Sequence, residues 1–563
     1  MATSTTAAGT STPAPHLSDF DRTSRSYQQR WWILAVLCLS LLVIVVDNSI
    51  LNVALPSLQD SLKASNSQLQ WMVDSYTLVF ASLLLTAGTL GDKFGRRGAL
   101  QFGMIIFGIG SIMSAMAGSP QHLILTRGIM GIGGAFIMPA TLSIITNTFP
   151  PEERGRAISF WAAIAGVGFA LGPISGGLLL AHFYWGSIFL VNIPIVVFAL
   201  ISGFFLIPTS KDPSNAQLDI VGAVLSIVGL ISLVYAIIEG PSLGWGSGNV
   251  AGAFVLAVVV LGAFAFWEGH TDHPMLDVKF FKNPRFTAAS SGIMLLFFAM
   301  FGSMFLLTQY FQFVMGYTAL QTGIRLLPMA ITMLIVAPAS ARIVEKIGTK
   351  IVVGGGLLIT SVSLATFAWL PSQNISYPGS VLWREVALAL GMGLVMAPAT
   401  ESIMGSLPRA KAGVGSAVND TTRQVGGALG VAVLGSVMTS TYAPAVASSI
   451  KSSGANVTPA QVSSAKDGLG FALELAVGPN GLGHSVVVAA QGAFVTGMHH
   501  AVLVGALAPL IGALVAFKWL PARAAQVDAF EEQDEVEAET AAEHVPQPGQ
   551  PNPVPQPAFV TET

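Results

Sequence analysis

Long apolar runs separated by short polar turns organise nearly the whole chain. Runs of spanning length fall at roughly 32–55, 70–91, 98–118, 121–147, 156–181 and 186–207, and then at 218–239, 250–268, 286–313, 322–341, 349–370, 381–406, 413–438 and 492–518. Each is long enough to cross a hydrocarbon core of about 30 Å as a helix. Only helices and closed barrels satisfy their own backbone groups in lipid, so the pattern predicts an all-α polytopic membrane protein with about fourteen transmembrane helices. The polar remainder lies at the edges. Residues 1–31 are rich in Ser, Thr, Ala and Pro and read as a disordered cytoplasmic tail, with no apolar core of a cleavable signal. The stretch 440–490, rich in Ser, Ala and Gly, reads as a mobile outer loop, and the acidic, Pro-rich stretch 521–563 as a disordered cytoplasmic tail.

Basic residues crowd alternate turns. With the N-terminus inside, the inner turns hold Lys93, Arg96, Arg97, Arg154, Arg156, Lys211, Lys279, Lys282, Arg285, Arg342, Lys346, Lys350, Arg409 and Lys411. The outer turns hold chiefly Lys63, Arg325, Arg384, Lys451 and Lys466. That asymmetry predicts a multi-pass plasma-membrane protein with both termini cytoplasmic. One inner turn, from Gly88 to Arg97, packs three glycines, one acid and three bases between two apolar runs. Gly88 and Gly91 remove side chains where helix ends approach, and Gly95 admits a turn that other residues resist. Asp92 calls for an arginine or a helix N-terminus, for which Gly413, Gly415 and Ser416 offer a candidate. The turn recurs: Gly88–Arg97 aligns with Ala341–Lys350, setting Asp92 on Glu345 and Gly95 on Gly348, and Val167–Gly172 matches Val425–Gly430 less specifically. The repeat predicts two parallel six-helix bundles, 32–210 and 281–520, joined by an inserted helix pair in 211–280.

Composition narrows the function. Of 563 residues, 52 % are hydrophobic and 10 % charged, against about 25 % charged in soluble proteins. A net charge of −3 offers no basic face for nucleic acid. The single cysteine, Cys38, lies in an apolar run, and the adjacent His499 and His500 have no acid or cysteine at ligand spacing, so no metal or other cofactor is implied. No Gly-x-x-x-x-Gly-Lys-Ser/Thr cradle for ATP occurs, and no nucleophile–base pair stands out, which argues against an ATP-driven pump and against an enzyme.

Charges inside the apolar runs are the candidate chemistry. Asp47 follows Leu41–Val46 in the first run; burying an acid there costs about 2.5–3.5 kcal/mol on the lenient insertion scale, so it faces a cavity or a partner. It reads as a proton carrier, or as a structural group bonding Asn52 or a neighbouring helix. Asp74 reads as a proton or cation site, or as an interfacial residue. Arg127 needs an anion or a ring of carbonyls, and the small residues after it favour packing over snorkelling to the outer face. Glu401 stands near the end of the twelfth run, and Asp420 and Arg423, three apart, are spaced to pair on one helix face, as structure or as part of an ion path. Gly168, Gly172 and Gly176 share a face, with Pro173 and Gly177 beside it. Gln309, Tyr310, Gln312, Met300, Phe301, Met304 and Phe305 read as an adaptable cavity lining or as ordinary core.

Several of these stretches resemble a known family. Gly88–Arg97 resembles the loop between helices 2 and 3 of the major facilitator superfamily, which latches the two halves of the transporter on the cytoplasmic side. Asp47-Asn48-Ser49-Ile50-Leu51-Asn52-Val53-Ala54-Leu55-Pro56 resembles the helix-1 signature of its fourteen-helix drug:proton antiporters, the EmrB/QacA type. Gly166–Gly177 resembles the helix-5 motif that marks exporters, and an arginine at the place of Arg127 is tied to proton transfer in that family. Lys93 stands where arginine is common, and Gly186-Ser187 where bulky or basic residues are usual. The resemblance implies a major facilitator fold and proton-coupled export of drugs or other apolar or cationic small molecules by alternating access. Its partners are then the substrate, protons and the lipid bilayer. Two rivals remain open: a dedicated exporter of one metabolite, such as an antibiotic or siderophore, and a non-transporting receptor or scaffold.

Overall fold

Segments cut off from water must bond their own backbone, and each apolar run does so as a helix. The structure, a computed structural model, describes residues 25–210, 219–271, 274, 278–373, 375–406, 412–452, 458–477 and 484–521. The terminal stretches 1–24 and 522–563, Lys211, Arg409 and Lys411 lie outside the described residues, as do the side chains of Asp92, Arg154 and Arg156 and all but the helical backbone of 412–417. Fourteen long helices appear among the described residues: α1 Arg30–Leu62, α2 Asn66–Phe94, α3 Arg96–Ala115, α4 Pro120–Thr148, α5 Pro151–His182, α6 Ser187–Leu206, α7 Ile220–Leu243, α8 Gly248–His270, α9 Pro284–Gln309, α10 Ala319–Ile347, α11 Thr349–Thr366, α12 Trp383–Met404, α13 Ala412–Ser452 and α14 His484–Trp519. Twelve carry a stretch apolar enough to cross a membrane; α2 and α5, of 29 and 32 residues, are long enough and pack among them.

α1–α6 pack on one another, chiefly α2 and α3 on α4 and α1 on α5. α9–α14 do the same, chiefly α9 and α14 on α13 and α11 on α12. The groups meet where α5 faces α10 and α2 faces α13, with α9 touching α1. α7 and α8 pair with each other, and α7 also lies against α2 and α13, where Val234 and Ile238 join Leu78, Ala428 and Ala432 in a small apolar cluster. Glu239 on α7 accepts hydrogen bonds from Ser67 Oγ (2.9 Å) and Trp71 Nε1 (3.1 Å), which ties the pair to α2.

The repeat is visible in the caps. Ser65 with Gln68 and Thr318 with Gln321 form capping boxes that start α2 and α10, and Gly95 (φ 123°) and Gly348 (φ 87°) end them. The same 253 residues separate Ser65 from Thr318 and Gly95 from Gly348. Both glycines sit where a Cβ is strained, so Gly95→Ala and Gly348→Ala should each cost about 1–3 kcal/mol. Thermal unfolding in detergent checks this, with Gly98→Ala, which meets nothing within 4 Å, expected to leave the midpoint unchanged.

Two boundaries differ from the sequence expectation. α1 continues seven residues past 55, through Pro56, because Leu55, Leu58 and Gln59 remain fully buried against neighbouring helices. Within 440–490 the described residues are largely helical, 453–457 and 478–483 lying outside them: α13 runs on to Ser452, and short helices Pro459–Asp467 and Leu469–Val477 follow. Tyr442 O–H donates to Ala465 O (2.9 Å) and Lys63 pairs with Glu474 (2.5 Å), so these helices are docked on the bundle at the end opposite the Gly88–Arg97 turn, rather than forming a free loop.

Candidate functional site

Arg127 projects from α4 into the first bundle and is 1 % exposed, so it does not snorkel. Its guanidinium pairs with Asp47 of α1, donates from Nε to Met72 O (3.1 Å) and lies 4.5 Å over the Tyr76 ring on α2. The second Asp47 oxygen accepts from Asn192 Nδ2 (3.0 Å), which also lies 3.1 Å from Ser111 Oγ of α3. Asn192 reaches this point because α6 is broken into Ser187–Leu190 and Asn192–Leu206. Ser111 O–H donates to Phe189 O (2.8 Å) across the break. Asp47 does not bond Asn52, whose Nδ2 donates to Asn48 O (3.0 Å). Asn192 and Ser111 escaped the sequence reading; the available signal was an amide standing alone in the apolar run that begins at Ile188.

Asp74 is on the other face of α2 and fully buried among the helices. Neither carboxylate oxygen has a hydrogen-bond partner among the described residues. Its face of α2 runs from Gln70, which abuts Gly435 of α13, to Leu78, which packs on Ala428 and Ala432. α2 thus carries the Arg127 pair on one side and an unpaired acid at the bundle interface on the other.

In the second bundle Asp420 and Arg423 pair at 3.5 Å on α13, and Arg423 Nη2 donates to Thr400 Oγ1 (2.8 Å) of α12. Glu401 is exposed one residue further on, where its charge acts on Arg285 at the start of α9. Met300, Met304, Phe305 and Tyr310 are buried, Gln309 donates to Phe305 O (3.1 Å), and Gln312 donates to Val53 O (2.8 Å) of α1, crossing between bundles. His499 lies 2.8 Å from Leu370 O and His500 3.2 Å from Thr441 Oγ1.

The glycine face of α5 divides its work. Methyl groups at Gly168 and Gly176 would meet Val45 (3.0 Å) and Ile50 (2.6 Å) of α1, and Gly172 abuts Ser49. Gly177 instead faces the other bundle: a methyl there would lie 2.8 Å from Leu320 N of α10, and Gly323 of α10 abuts the Pro173 carbonyl. These contacts, with Gln70–Gly435 and Gln312–Val53, seal the bundles at the end far from the basic turn. In that turn the described contacts stay within the first bundle. Gly88 and Gly91 would bring methyls to Pro139 (3.5 Å) and Ala99 (3.1 Å), Arg96 N–H donates to Ser210 O (3.1 Å), and Arg97 donates to Ile207 O (3.3 Å) and stacks on Phe204 (4.8 Å). Contact of Asp92 with the start of α13 lies outside the described residues.

Two six-helix groups that meet across a central interface, with charges buried inside them, are the architecture of secondary membrane transporters. The chain belongs to the major facilitator superfamily, whose profile matches residues 37–431. It is 33 % identical to the multidrug efflux pump LfrA of Mycolicibacterium smegmatis over 88 % of this chain and 97 % of that one. It is 31 % identical to the tetracenomycin C resistance and export protein of Streptomyces glaucescens (73 % and 76 % covered) and 29 % identical to the methyl viologen resistance protein SmvA of Salmonella typhimurium (88 % and 99 %). Among solved structures, a bacterial homologue of the human lysosomal transporter Spinster, inward-facing and unoccupied, shares the fold with a TM-score of 0.60 at 17 % identity, over 87 % of this chain and 96 % of that one.

Proposed function

We propose that this protein exports drugs or other apolar and cationic small molecules across the plasma membrane by proton-coupled alternating access, with both termini cytoplasmic, and that it is neither an enzyme nor ATP-driven. The observation that carries the proposal is the fully buried Asp47–Arg127 pair backed, through α2, by the unpartnered Asp74 at the bundle interface. A membrane protein bears the cost of such groups where charge must move. In this reading the bundles 32–210 and 281–520 rock about the interface, the pair 211–280 braces α2 and α13, Asp47 and Asp74 exchange protons, and Arg127 competes with the proton for Asp47. Asp420, Arg423 and Glu401 line the second bundle's share of the path, and Gly88, Gly91, Asp92, Gly95, Arg96 and Arg97 gate the cytoplasmic side.

The reading agrees with the functions by which the relatives are named: multidrug efflux, tetracenomycin C export and resistance to methyl viologen, a dication. The tetracenomycin C relative also favours a second reading, a dedicated exporter of one metabolite. Proteoliposomes loaded with a cationic dye decide the matter under an imposed pH gradient. Gradient-dependent dye movement is expected in the intact protein and should fall at least about tenfold in Asp47→Asn and in Asp74→Asn. Movement that persists in both variants would move the proton site to Glu401 or Asp420; no movement in the intact protein would favour the dedicated exporter.

A further inference from the structure

Glu385, near the start of α12, belongs to none of the motifs above and is fully buried. Its Oε2 lies 2.9 Å from Tyr377 Oη, and the same hydroxyl lies 2.6 Å from the Arg325 carbonyl of α10. One hydroxyl proton cannot serve two acceptors. The network closes when Glu385 is the neutral acid: its O–H donates to Tyr377 Oη, and Tyr377 O–H donates to Arg325 O. Ionised, Glu385 would be a buried charge whose Oε1 has no partner among the described residues, which is costly.

Among the described residues no cation pairs with that carboxylate. Arg325 lies 3.7 Å over Tyr317 and 5.5 Å over Tyr377 and donates to Gln321 O (3.3 Å). Arg384, beside Glu385, donates to Thr366 O (3.0 Å) and to Ser380 O. Tyr310, at the end of α9, gives its O–H to Pro371 O (2.9 Å). The charged residue of α11, Lys350, is at the basic end, and Asp420 and Arg423 of α13 lie beside Thr400, fifteen residues along α12 from Glu385, while Lys451 stands exposed at the tip of α13.

The position links this group to the seal between bundles. Arg325 lies within two turns of Ala319, Leu320 and Gly323, the α10 residues that bear on Gly177 and Pro173 of α5. We propose that Glu385 is a further proton-binding group that works through Tyr377 on the start of α10. Neutral, it leaves the Tyr377 hydroxyl on Arg325 O and holds the far-end seal closed. When the Glu385 O–H bond breaks and its proton passes to the outer medium, the hydroxyl turns from Arg325 O to the carboxylate, and α10 is released from α5. The inference rests on the alternating-access reading for its role in transport, but not for its pH dependence.

The test uses the full chain in lipid nanodiscs, with Cys38→Ala and spin labels at His182→Cys on α5 and Ile324→Cys on α10, both exposed. The short-distance population should fall as pH rises from about 5 to 9, spanning the range over which a buried carboxyl titrates. Glu385→Gln, whose amide donates to Tyr377 Oη as the neutral acid does, should hold the distance short throughout. Tyr377→Phe should also lose the pH response. A Glu385→Gln profile that tracks the intact protein overturns the proposal. Dye transport by the same proteins separates the two readings. A pH response lost in Glu385→Gln without gradient-driven dye transport in the intact protein defeats the broad drug-export reading alone; transport with an unaltered pH response defeats the Glu385 proposal alone.

Discussion

Replacing Arg127 by alanine is expected to abolish gradient-driven transport and to lower stability by about 3–5 kcal/mol, the usual cost of stripping one partner from a buried ion pair. Asp47 would then be a buried charge held by Asn192 alone. The double variant Asp47→Asn/Arg127→Leu should recover most of the thermal midpoint and none of the coupled transport. That contrast separates a structural pair from a working one, because replacing both partners by uncharged groups leaves no buried charge without its counter-ion. Arg127→Lys should not rescue transport, since a single ammonium cannot serve Asp47, the Met72 carbonyl and the Tyr76 ring together. Full transport by the double variant would show that the pair is structural only.

Gly323→Leu should drive the bundles apart at the far end. A side chain there must displace the Pro173 carbonyl, which is backbone and cannot swing aside as a side chain would. Overpacking costs about 1–3 kcal/mol, enough to shift a two-state equilibrium about 5- to 150-fold. The sealed form should become a minor state, seen as a longer distance between labels on α5 and α10, and dye export should fall in proportion. Gly172→Leu instead abuts Ser49 within the first bundle and should lower stability without a selective change in that distance. Gly262→Leu on α8, with nothing within 4 Å, should do neither. An unchanged distance in Gly323→Leu would remove the α5–α10 contact from the seal.

The same residues mark how far the sequence could be read. Apolar run lengths and alternating basic turns specified the helices and their order, because lipid leaves a spanning segment few alternatives. The caps at Ser65 and Thr318 and the glycines at 95 and 348 are local chemistry, legible from a few adjacent residues. Asp47 and Arg127 were visible because a charge in an apolar run is expensive wherever the run ends up. Their pairing was not visible. Asp47 meets Arg127 and Asn192 across 80 and 145 positions of chain, and Tyr377 reaches Arg325 across 52. Helix rotation and the break in α6 decide which side chains face one another, and a one-residue turn of any helix would rotate them about 100° away. The chain alone therefore determined a helical membrane transporter with charges that are costly to bury. Only the packing of those helices decided that one acid found an arginine, another a tyrosine, and Asp74 no partner among the described residues.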